Sequence, residues 1–84
     1  MPGAAYDERK LKELEERRRE ILAVKRENER LLREFEAGRR TMSRGKRMAI
    51  VQSLNDAKHS LPELTKEIME VKRRIARREQ KEKS

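Results

Sequence analysis

Cysteine and tryptophan are absent from this 84-residue chain, its only aromatics are Tyr6 and Phe35, and no apolar run approaches the ~20 residues of a membrane span. Each absence removes a class of protein. Without cysteine there is no disulfide framework and no thiolate zinc site. With 2% aromatic and 48% charged residues, a compact globule would have too little to bury. The opening Met-Pro-Gly-Ala-Ala lacks the basic and apolar regions of a signal peptide, so an intracellular protein is expected, with cytoplasm and nucleus not distinguished. The scarcity of proline and glycine, two and three residues, leaves long stretches free to be helical.

What the chain does have is period. Leu14, Ile21, Asn28 and Phe35 recur at one heptad position, with Arg17, Val24 and Leu31 at the other. In the second half Leu54, Leu61, Ile68 and Ile75 alternate with Ile50, Ala57, Leu64 and Val71. Folding the chain back near Thr41 to Ser43 places residues whose numbers sum to 85 opposite one another, for instance Leu14 with Val71, Ile21 with Leu64 and Phe35 with Ile50. Every such pair joins an a to a d position, as an antiparallel coiled coil requires. The fold class predicted is all-α: a two-helix antiparallel coiled-coil hairpin, whose completion by dimerisation or by a partner is expected from how little stability two helices supply alone.

Boundaries follow from local signals. Residues 1–6 are expected to be a flexible tail, with Asp7 as N-cap of a first helix over 7–37. Residues 38–46 form a basic turn with Gly38 as the helix C-cap, 47–78 a second helix, and 79–84 a frayed basic C-terminal tail. Pro62 interrupts the second helical pattern, and Ser60-Leu61-Pro62-Glu63 reads as a capping box. The heptad phase nevertheless passes through it without a stutter, which predicts one helix kinked at Pro62 over two separate helices.

No residue pattern points to catalysis, a cofactor or a metal. His59 stands alone, and the acidic residues alternate with basic ones as on a solvated helix face, so the chain is expected not to be an enzyme. Asn28 in the seam has two readings, a register-setting polar layer opposite Ala57 or a tolerated wet position. Arg17 at a d position marks a weak layer. Glu13, Glu20, Glu27 and Glu34 with Arg18, Lys25 and Arg39 suit a parallel pairing of first helices. In the hairpin Glu13 is expected to meet Arg74.

Two sets of residues lie outside this core. Leu11, Leu22, Leu32, Met48, Val51 and Met69 are apolar but off the seam, and are assigned as a partner-binding surface. Arg39, Arg40, Arg44, Lys46 and Arg47 surround the turn in a stretch with no acid between Glu36 and Asp56. Lys72, Arg73, Arg74, Arg77 and Arg78 crowd the last turns, and the net charge is +8. These ten are the candidate polyanion contacts. Arginines upstream of Ser43 also make that hydroxyl a candidate phosphorylation site. The leading expectation is a non-enzymatic coiled-coil adaptor or structural subunit, joined to a protein partner or to a second copy of itself. The alternative is a hairpin that binds RNA or DNA through its basic turn and basic helix end. The architecture resembles small helical hairpins that pair into four-helix bundles, a likeness of fold without a shared motif.

Overall fold

The computed structural model describes the backbone of residues 2–83 and the side chains of residues 5–81. Two helices, α1 (Pro2–Glu36) and α2 (Arg44–Lys83), pack against each other as a hairpin measuring 62 × 18 × 16 Å. Both are longer than their sequence signals suggest. Asp7 does not cap α1 but lies inside it, because its carboxylate faces α2 rather than the free amides of a helix start. At the other end α2 runs on through the Lys, Arg and Glu of its last turns, which are good helix formers.

The turn is built from two caps. Gly38 takes φ +75°, the left-handed conformation that costs other residues a clash with their own Cβ. Its N–H donates to the Phe35 carbonyl at 3.0 Å and the Arg39 N–H to the Glu34 carbonyl at 2.9 Å, a Schellman closure of α1. Ser43 then opens α2, its Oγ accepting the Lys46 N–H at 3.2 Å, so that Arg44, Gly45 and Lys46 form the first turn. The second helix therefore begins before the expected residue 47.

Leu14, Leu64, Ile68 and Val71 form the core cluster, with Leu11, Ile21 and Ile75 packed against it. Ile50 and Ala57 are buried nearer the turn. The cluster contains the Leu14–Val71 and Ile21–Leu64 layers, and the contact of Asp7 with Arg78 continues the same register to the open end.

In α1 the expected d line is covered only in part. Leu31 is partly buried, but Val24 is 54% exposed and Arg17 is exposed as well, while Leu11, Lys25 and Leu32 on the adjacent line are also partly covered. Each exposure has its own cause. Arg17 keeps its guanidinium in water, because burying an unpaired charge is costly. Opposite Val24 the second helix offers Ser53, Ala57 and Ser60, whose small side chains leave an open gap of about 340 Å³.

Asn28 is satisfied within the hairpin, its amide donating to the Ser53 hydroxyl at 2.9 Å, one turn before Ala57. Pro62 lies within a single α2, so the capping-box reading with two helices does not hold. The ring has no N–H to offer the Lys58 carbonyl, and the long apolar face on either side carries the helix through. No helix among the described residues is long and apolar enough to cross a membrane.

Candidate interaction surface

Helix geometry divides the rod into two flanks. On one, residues of α1 spaced as Leu22, Lys25, Glu29 and Leu32 share a face, and α2 contributes the line through Met48, Val51, Leu54, Lys58, Leu61, Pro62 and Met69. Leu54 and Leu61 are only half-buried, although they occupy seam positions. Beside them Met48 is 63% exposed and Val51 and Met69 are each 50% exposed. An open groove of about 790 Å³ runs here, with Leu54, Leu61, Pro62 and Thr65 on the α2 side and Lys25 and Glu29 on the α1 side. A second depression of about 300 Å³, as polar as it is apolar, continues it past Ile68 and Met69 between Glu15, Arg18, Arg19 and Lys72, and Thr65 lines both.

Of the six residues assigned to a partner surface, Met48, Val51 and Met69 are free on this flank. Leu22 and Leu32 are half-buried at its α1 edge, and Leu11 packs against the core cluster. Sequence reasoning passed over Leu54, Leu61 and Pro62, which it placed in the seam or at a kink. The signal available was adjacency, since Leu54 and Leu61 lie on the line next to Val51, and Pro62 is one heptad before Met69 on the same line.

The basic residues divide into occupied and free. Arg40 Nε donates to Glu34 Oε2 at 2.9 Å, and Arg47 lies over the Phe35 ring at 5.4 Å from its centroid, so both are tied to the turn. Arg74 and Arg78 reach Asp7 at 3.5 and 3.0 Å, which replaces the expected meeting of Glu13 with Arg74. Arg78 Nη1 sits out of line for a hydrogen bond to Asp7 Oδ2, leaving that contact one of charge alone. Arg39, Arg44 and Lys46 at the turn, and Lys72, Arg73 and Arg77 near the other end, are exposed. None of these six has a carboxylate within ion-pair distance among the described residues.

A small network stiffens the turn end of α1. Arg30 donates to Glu27 and, at 2.8 Å, to Glu34. The Arg40 hydrogen bond, and after it the nearby charge of Arg30, hold the Glu34 carboxyl below the usual carboxylate range. The Arg30 hydrogen bond does the same for Glu27, and the two carboxylates raise Arg30. Lys25 pairs with Glu29 at 3.4 Å. Glu34 is thereby engaged within its own chain rather than poised for a parallel partner.

No three His, Asp or Glu side chains among the described residues come together as metal donors. The fold and surface define a basic helical hairpin with a long open groove on one flank and a smaller apolar gap beside Val24 on the other. Comparison with family models, with curated proteins and with solved structures yields no match.

Proposed function

We propose that the chain is a non-enzymatic coiled-coil adaptor or structural subunit that assembles with another protein through its open flank. The observation that carries this is the exposure of Met48, Val51 and Met69 beside the half-covered Leu54 and Leu61, an apolar stripe crossed by Lys58 with no helix over it. Surface area supports it. The rod exposes 7062 Å², against about 5,300 Å² expected for a compact folded monomer of its mass, an excess larger than the roughly 800 Å² that one partner contributes to a standard interface.

The test is sedimentation of the native protein in extract of its own cells, comparing wild type with a Val51→Glu, Met69→Glu chain of unchanged helical circular dichroism. Wild type is expected in a complex larger than the 10.1 kDa chain, and the variant as free chain. Wild type running as free monomer, or a variant that stays in the complex, overturns the reading.

A second reading, nucleic-acid binding through the turn, rests on the free guanidinium and ammonium groups of Arg39, Arg44 and Lys46 at one end of the rod. It requires affinity for RNA or DNA that survives physiological salt and falls linearly in logarithmic coordinates as salt rises. Binding confined to low salt would reduce it to nonspecific attraction.

A further inference from the structure

The edges of the flank groove carry information that its apolar floor does not. Arg18, Arg19 and Lys72 border one end of it and Lys58 the other, all exposed and without a carboxylate at ion-pair distance among the described residues. Of the remaining charges there, Lys25 and Glu29 neutralise each other, and only Glu15 opposes the cations. An apolar trough bounded by uncompensated positive charge is complementary to an apolar stripe bounded by negative charge.

We propose that the groove receives an amphipathic α-helix with acidic edges, presented by a partner protein, as the third helix of a bundle; this rests on the assembly reading above. The shape fits a helix. From Leu54 to Met69 the floor follows α2 for about 22 Å, room for about four turns laid alongside it. The hairpin offers no strand edge among the described residues for an extended peptide, whereas a docked helix satisfies its own backbone polar groups between its two end turns. Charge decides against a second copy of this chain. An isologous pair would set the rim of Lys58, Arg19 and Lys72 against its own copy, between two molecules that each carry +8. An acidic helix reverses that term, and desolvation of the floor strengthens each rim contact. Nucleic acid would leave Leu54, Leu61 and Met69 of the floor without an apolar counterpart.

The probe is a fluorescein-labelled synthetic peptide of about three heptads, with Leu at a and d and Glu at e and g, whose like-charged edges keep it from pairing with itself. It is titrated with the full chain at about 0.15 M salt. Saturable binding is expected, and the same peptide with Lys at e and g should bind about ten-fold more weakly or not at all. Lys58→Glu with Arg19→Glu should weaken binding of the acidic peptide about ten-fold, and Met69→Glu should weaken it too. Arg39→Glu with Arg44→Glu, at the turn, should leave it within about two-fold. All these positions are exposed, and circular dichroism verifies that each variant is folded. No saturable binding, equal binding of the Lys peptide, or equal loss from the turn and rim reversals overturns the proposal. Sedimentation of the chain alone distinguishes the failures. A dimer of twice 10.1 kDa that Met69→Glu dissolves would put a second copy in the groove and leave assembly standing. A monomer that also fails to enter any complex in extract would remove both.

Discussion

Asp7 is 2% exposed between Arg74 and Arg78, the one charged side chain among the described residues that the hairpin takes out of water. Its partners are not buried with it, their side chains being 49% and 41% exposed. Removing the carboxylate would therefore free two arginines to turn outward rather than strand them. Asp7→Ala should cost about 1 kcal/mol, not the roughly 3–5 kcal/mol of a fully buried pair, and an unchanged urea midpoint would show that the clasp adds nothing. Glu34 makes a different prediction. Its carboxyl is held below the usual range chiefly by the Arg40 hydrogen bond, so near that range the unfolded chain binds more protons than the folded one. The stabilisation is thus complete above the ordinary carboxylate pKa and is lost as pH falls through the depressed folded value. Urea midpoints measured from neutral to acid pH should drop less steeply for Glu34→Gln than for wild type. Superimposable acid limbs would refute the linkage.

Among the elements, the turn and α2 hold the testable strain. A Cβ at Gly38 would meet nothing within 4 Å, so Gly38→Ala isolates the conformational cost of φ +75° and should lower stability by about 1 kcal/mol. Pro62 lies inside a helix that would be better hydrogen-bonded without it. Pro62→Ala is expected to raise both helicity and the urea midpoint, by up to about 3 kcal/mol in stability; a fall would mean that the ring itself is needed for packing. The α2 seam through Ile50, Ala57, Leu64, Ile68 and Val71 was legible in the sequence, because its apolar spacing is uninterrupted and only one face satisfies it. The α1 seam was legible except at Val24: Leu14 is buried and Ile21, Asn28, Leu31 and Phe35 are partly buried, as their heptad positions require. Val24 departs because the small Ser53, Ala57 and Ser60 lie across from it, which is tertiary information. The candidate surface was readable in its α2 half, where Met48, Val51 and Met69 follow adjacent lines. Its cationic rim was hidden, since Arg18 and Arg19 meet Lys72 only after the chain has folded back.

For the whole molecule the governing fact is length. Two helices of 35 and 40 residues laid side by side give a Cα radius of gyration of 18.6 Å, against about 12 Å for a compact domain of this size. Nearly all of that radius comes from the 62 Å axis, while the cross-section of 18 × 16 Å contributes little. The direction in which a partner adds mass is therefore readable from scattering. A third helix in the flank groove lies along the existing axis, so adding the acidic peptide should raise the forward scattering in proportion to bound mass and leave the radius almost unchanged. Anything bound at the free cations of the turn, Arg39, Arg44 and Lys46, extends the rod and must lengthen it. Small-angle X-ray scattering of the chain alone, and then with saturating peptide, tests both levels. A radius near about 12 Å for the free chain would contradict the hairpin rod itself. A radius that grows together with the mass would move the peptide from the flank to an end, where charge without an apolar floor is the only attraction available.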